Sequence, residues 1–199
     1  MTDLQPDDVR TFVFKHRGTL LAIPAVLLAV LGTPSAFGIA LGLPIAIAGE
    51  LVRCWAVGYS GVTTRGDVVT APKLVTSGPY AYVRNPLYVG NFITAFGFAI
   101  AFTGKNLLLA KILLIGGSLG VMTAVYAIII PHEERYLRAQ FGEAFDRYRD
   151  RVPPIVPRTD AARAGEGVWD PRVIKDAETR TFLTFGVMLV VLAFKALRG

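Results

Sequence analysis

Uncharged apolar stretches divide this chain. Residues 18–49 carry no charge over 32 positions, 85–104 and 112–131 none over 20 each, and 181–194 none over 14. Apolar runs near 20 residues are long enough to cross a bilayer as helices. Gly32-Thr33-Pro34-Ser35 and Gly104-Lys105-Asn106 are turn signals. The most economical reading is five spans, at about 12–32, 36–59, 85–102, 107–130 and 181–197. The alternation of a transmembrane barrel is absent, and lipid leaves backbone polar groups to be satisfied within each segment, so the spans are expected as helices. The expected fold is an all-α integral membrane protein, one membrane-embedded domain over residues 1–199.

Two polar segments interrupt the pattern. In the second, Leu137, Phe141, Phe145, Tyr148 and Val152 recur every three or four residues, the period of one helix face. Charged residues lie between them, and Gly142 is a candidate break. Such a helix lies along the headgroups or caps a bundle. Within span two, Glu50 and Arg53 stand three apart and are expected to pair. The pairs Gly38/Gly42 and Gly116/Gly120 have the spacing of close helix packing.

Composition sharpens the class. Hydrophobic residues make up 53% of the chain and charged ones 18%, where soluble domains carry about a quarter charged. Mean hydropathy is +0.48. The net charge of +6 would suggest nucleic acid on a soluble chain, but its placement follows the positive-inside rule instead. In the five-span reading sixteen Lys and Arg, Arg65 and Arg163 among them, fall on one side. The other side has Lys105, Lys195 and Arg198. The N-terminus and both long polar segments are therefore expected in the cytoplasm, in the inner membrane for a prokaryotic source, with no nucleic acid as partner. Lys15 and Arg17 ahead of an apolar core would suit a signal peptide, but Thr33-Pro34-Ser35 places proline in the cleavage site, so an uncleaved anchor is expected. Cys54 is the single cysteine.

Candidate chemistry gathers at two places. Glu133-Glu134 directly follows the apolar end of span four, where carboxylates are costly unless solvated or matched to a ligand. The stretch from Lys73 to Gly90 holds three tyrosines and Arg84. Its Asn85-Pro86 reads as a helix start, with Asn at the N-cap and Pro in the first turn. Arg53, charged inside a span, is a candidate substrate contact. Two histidines, His16 and His132, are too few for a histidine-rich metal site, and no metal is expected. No Cys-x-x-Cys, phosphate-binding loop or nucleophile elbow is present.

Leu74 to Gly90 reads Leu-Val-Thr-Ser-Gly-Pro-Tyr-Ala-Tyr-Val-Arg-Asn-Pro-Leu-Tyr-Val-Gly. Glu133-Glu134 and Phe141-Gly142 follow, then Tyr148 and Arg151-Val152-Pro153. In order and spacing these blocks resemble the isoprenylcysteine carboxyl methyltransferase and phospholipid methyltransferase superfamily, over about residues 51–157. The resemblance implies a helical membrane enzyme that uses S-adenosylmethionine, releases S-adenosylhomocysteine and methylates a lipophilic acceptor taken from the bilayer. It implies a cofactor pocket on the cytoplasmic side, formed with the amphipathic segment. By the resemblance Lys73, Leu74, Val75, Tyr80, Arg84, Asn85, Pro86, Leu87, Tyr88 and Glu133 contact the cofactor.

A carboxylate acceptor needs no base, whereas for an amine acceptor Glu134 is the candidate base. Two positions depart from the family pattern. Its usual Arg-His-Pro is Arg84-Asn85-Pro86 here, and Ile129 stands where eukaryotic prenylcysteine enzymes carry an arginine. A phospholipid amine N-methyltransferase is the alternative within the superfamily. An NADPH-dependent membrane reductase is the alternative outside it. Reductases resembling this region read Asn-Tyr-Phe-Gly-Glu where this chain has Leu87-Tyr88-Val89-Gly90-Asn91.

Overall fold

The computed structural model describes residues 9–61, 71–161 and 167–198; Arg65 and Arg163 of the charge count lie outside them. The regular elements among the described residues are all helical: α1 (Val9–Leu31), α2 (Ala36–Ser60), a 3-10 turn (Gly78–Ala81), α3 (Pro86–Phe102), α4 (Leu108–Phe141), α5 (Glu143–Arg151) and α6 (Arg172–Arg198). Four of them, α1, α2, α4 and α6, are long and apolar enough to cross a membrane, while α3 is apolar but only 17 residues long.

The tightest pair is α2 against α3, and small residues make it so. Gly38, Gly42, Ala46 and Gly49 of α2 face Gly90, Gly97 and Ala101 of α3. A Cβ added at Gly42 or Gly97 would collide with the partner helix's backbone. Removing side chains lets two helices approach until dispersion contacts form along their backbones. The Gly38/Gly42 expectation therefore holds. Gly116 and Gly120 are exposed instead, with nothing among the described residues near a Cβ at either.

Hydrogen bonds tie one end of the bundle together. The Ser35 hydroxyl caps α2 by accepting from Gly38 N–H at 3.0 Å. Asn106 joins the two turns, accepting from Thr33 N–H at 2.7 Å and donating to Leu31 O at 3.0 Å. At the same end, Lys195 donates to the last carbonyls of α1.

Two helices depart from the expected boundaries, both toward the opposite end. Span four was expected to stop at Ile130, before proline, but α4 runs through Pro131 to Phe141. Its 34 residues span about 51 Å at the α-helical rise, against a hydrocarbon core of about 30 Å. Gly142, with φ +53° and ψ −129°, then breaks the chain before α5, in a region of backbone space open essentially to glycine. Span five was expected from residue 181; α6 starts at Arg172.

The expected apolar stripe closes on itself. Phe145, Tyr148 and Val152 are buried with Leu137, Phe141 and Leu74 packed against them. The amphipathic segment thus caps the bundle over the loop that precedes α3.

Candidate active site

That loop is zipped to the cap mainly through backbone groups. Tyr148 donates its hydroxyl to Tyr80 O at 2.8 Å. Arg84 N–H donates to Pro153 O at 2.8 Å and Arg158 N–H to Tyr82 O at 3.0 Å. The Arg84 guanidinium reaches the end of α5, donating to Arg149 O at 2.9 Å and to Val152 O. On its other edge it meets Glu134 through Nε at 2.8 Å and Nη2 at 2.7 Å. Both contacts fall on Glu134 Oε1, a charge-assisted pair in which one carboxylate oxygen accepts from two guanidinium nitrogens. It pins α4, α5 and the start of α3 together.

Under this cap lies a cavity of about 590 Å³, within the usual size range of small-molecule sites. Its wall contains Lys73, Leu74, Val75, Tyr80, Arg84, Asn85, Pro86, Leu87, Tyr88 and Glu133, the whole set expected to contact a cofactor, and Arg53 as well. Glu134 is not part of the wall, because its carboxylate is turned to Arg84. Sequence separation explains why tertiary structure is needed: residues 73–75, 80, 84–88 and 133 come from the loop, the start of α3 and the emergent part of α4.

Individual groups differ from the expectation in detail. Asn85 does occupy the N-cap position with Pro86 next, but its side chain caps nothing and donates to Pro154 O at 3.0 Å. Its carbonyl accepts from Tyr88 and Val89 N–H. Tyr88 donates its hydroxyl to Glu133 Oε1 at 2.7 Å. Among the described residues no donor is on Glu133 Oε2 (its partner oxygen), so the cavity wall offers an uncommitted acceptor. Burial pushes the Tyr80 phenol up to about 12, with Ser60 as its hydrogen-bond partner, and burial also raises Tyr148. Both phenols remain protonated at neutral pH.

Arg53 has stronger partners than the expected Glu50. Its Nη2 donates to both carboxylate oxygens of Glu178, at 2.9 and 2.8 Å, while Glu50 lies 3.9 Å from Nε. Arg53 also donates to Asn91 Oδ1 and, through Nη2, to Thr181 at 3.3 Å. Glu178 is only 1% exposed. Sequence reading placed it in a polar loop, yet a signal exists: Glu178, Thr181, Phe185, Met188 and Leu192 continue one helical stripe of spacing three and four. Asn91 and Tyr126 of the wall were also missed, along with Phe14, Lys15 and Arg17 of α1 and Arg180 and Thr184 of α6. Ile129 is fully buried in a cluster with Val13 and Phe14 of α1 and is not part of the wall.

A helical bundle with membrane-length helices, capped over a pocket that joins an uncommitted carboxylate oxygen, tyrosines and cations, defines a class of membrane-embedded small-molecule site. Within that class the chain belongs to the phospholipid methyltransferase family, whose sequence model matches residues 37–144. The matched stretch covers α2, α3 and α4 and leaves out α1 and α6. Methanethiol S-methyltransferase 2 of Bradyrhizobium diazoefficiens is 34% identical over 113 residues, 57% of this chain and 40% of that relative. Protein-S-isoprenylcysteine O-methyltransferase of Schizosaccharomyces pombe is 38% identical over 92 residues, 42% of this chain and 33% of that relative. Protein-S-isoprenylcysteine O-methyltransferase B of Arabidopsis thaliana is 32% identical over 120 residues, 58% of this chain and 57% of that relative. The chain thus spans less than two thirds of the length of each. No solved structure matches it significantly.

Proposed function

We propose that this chain is an S-adenosylmethionine-dependent methyltransferase, its cofactor site facing the cytoplasm and its acceptor a lipophilic molecule entering from the bilayer. The observation that carries the reading is the convergence of 73–75, Tyr80, 84–88 and Glu133 on one cavity in a chain of this family. The groups present suit the cofactor. Tyr80 and Tyr88 offer aromatic faces, Glu133 Oε2 an acceptor for ribose hydroxyls or a partner for positive charge, and Lys73 a cation for a carboxylate. S-adenosylmethionine supplies a methyl on a sulfonium; the S–CH3 electron pair stays on sulfur as S-adenosylhomocysteine while the acceptor's lone pair forms the new bond.

The residues' contribution is therefore alignment and exclusion of water. Tyr88 holds Glu133 in place, and the Arg84–Glu134 pair keeps the cap closed over the site. A Glu134 so engaged positions Arg84 and is poorly placed to take a proton. That favours an acceptor whose nucleophile is already deprotonated, and an oxygen acceptor is what the relatives named protein-S-isoprenylcysteine O-methyltransferase have by name. A phospholipid amine is the second reading, favoured by the family match itself.

The test is ligand-dependent thermal stability of the purified protein, with S-adenosylhomocysteine against NADPH. A ligand that binds the native state alone raises the midpoint. A rise with S-adenosylhomocysteine only is expected; a rise with NADPH only would overturn the assignment. Methyl transfer from labelled S-adenosylmethionine to S-farnesylcysteine, methanethiol and phosphatidylethanolamine then separates the acceptors.

A further inference from the structure

One polar chain crosses the inner wall of the cavity and reaches the cofactor-side carboxylate. It starts at Glu178 on α6, which holds Arg53 of α2 at 2.8 Å. A guanidinium can only donate, so the Arg53 contact makes the near end of the Asn91 side chain its carbonyl oxygen. The far end is then the amide nitrogen, and it donates to the Tyr126 hydroxyl at 2.7 Å. Tyr126 stacks on Tyr88 with centroids 4.3 Å apart, and Tyr88 donates to Glu133.

Direction matters at Tyr126. Its oxygen is used as an acceptor by Asn91, so its single hydrogen must point elsewhere, and no acceptor for it is found among the described residues. The ring is 2% exposed, enclosed by Tyr88 and Phe92, and the residue belongs to the cavity wall. Tyr126 precedes Glu133 by seven residues, about 10 Å along the helix, so it lies deeper in the bundle than the carboxylate.

We infer that the Tyr126 hydroxyl is the hydrogen-bond donor of the acceptor subsite, oriented by Glu178, Arg53 and Asn91 to meet an anionic oxygen or sulfur of the methyl acceptor. This rests on the methyltransferase reading above. A buried hydroxyl hydrogen with no partner of its own rewards an anionic lone pair, and an ammonium group has no lone pair to meet it. The acceptor class is thus an anion on an apolar tail, a carboxylate, phosphate or thiolate. Tyr126 is the contact, and Glu178, Arg53 and Asn91 are positioning residues.

The experiment uses the full chain in lipid nanodiscs saturated with S-adenosylhomocysteine. Three probes with one tail are compared by affinity: N-acetyl-S-farnesylcysteine, farnesyl phosphate and farnesylamine. The wild type is expected to bind at least one of the two anions tenfold or more tightly than the amine, and which anion wins separates carboxylate from phosphate. Tyr126→Phe keeps both ring contacts and removes the donor. It should cost that anion ten- to a hundredfold, the scale of a hydrogen bond to a charged group, with S-adenosylhomocysteine affinity within about twofold. Asn91→Asp turns the near and far ends into acceptors, draws the Tyr126 hydrogen back, and should reproduce the loss; a purely structural role would lower the melting midpoint without this selectivity. The inference is overturned if the amine binds as tightly as both anions, if no probe binds, or if Tyr126→Phe keeps its anion affinity. If S-adenosylhomocysteine itself fails to stabilise the wild type, the underlying methyltransferase reading falls first.

Discussion

Glu133 and Glu134 are neighbours in sequence and have separate partners, because successive helix residues project about 100° apart. Glu133 looks into the cavity and takes the Tyr88 hydroxyl; Glu134 looks toward the cap and takes Arg84. Substitution should separate the two. Glu133→Ala is expected to weaken S-adenosylhomocysteine binding about tenfold or more while leaving the melting midpoint without ligand near the wild-type value, read by calorimetric titration and thermal denaturation. Unchanged affinity would remove Glu133 from the site. For Arg84 and Glu134, a double-mutant cycle to alanine is expected to return a coupling of about 1–3 kcal/mol in stability. Additive losses would mean that the pair does not hold the cap. The same logic of directions explains Asn85. The residue type and the following proline mark the helix start, but only the nearby Pro154 carbonyl decides that its amide donates outward instead of capping.

Elements show where local rules give way to packing. Proline inside a helix removes one hydrogen bond and crowds the preceding turn, so ending span four at Ile130 follows from sequence. The helix continues because Val125, Tyr126, Ile129 and Ile130 pack on α1, and Glu133 and Glu134 beyond the proline are both anchored. Glycine has two roles that spacing alone does not separate. Gly97→Ala would drive a Cβ into the α2 backbone and is expected to abolish the folded, S-adenosylhomocysteine-responsive protein. Gly116→Ala and Gly120→Ala meet nothing among the described residues. They are expected to hold or raise the midpoint, since alanine favours helix by up to about 1 kcal/mol per site. Size-exclusion and melting profiles of the three variants check this; a Gly116→Ala protein as damaged as Gly97→Ala would show that this face is packed in the working assembly. At Gly142, where φ is positive, alanine should cost about 1–3 kcal/mol.

Over the whole molecule, the cavity opens at the end where α2 finishes, α3 starts, and α4 emerges beyond its apolar stretch. The turns with Lys105 lie at the other end, with Lys195 bonded there to α1. If the charge bias sets orientation, a cysteine at Lys105 in a Cys54→Ala background is expected to react with an impermeant maleimide from outside intact cells, and one at Arg151 only after lysis. The reverse pattern would invert the protein and put the site outside.

The sequence by itself determined the helical membrane class, most helix positions and the Gly142 break, and the family resemblance it carries pointed to ten residues that share one cavity wall. The class, the helices and the break are properties of apolar run length, helical period and glycine placement, all local along the chain, while the ten residues rest on the motifs that carry the resemblance. Only the tertiary structure decided that Arg53 belongs chiefly to Glu178, 125 residues away, and that Glu134 belongs to Arg84. It also decided that α1 and α6, outside the matched family stretch, complete the cavity wall. A buried charge takes the partner that packing brings within hydrogen-bond reach, because an unpaired charge in a low-dielectric interior costs several kcal/mol or more, and sequence spacing carries no record of which distant helix will supply it.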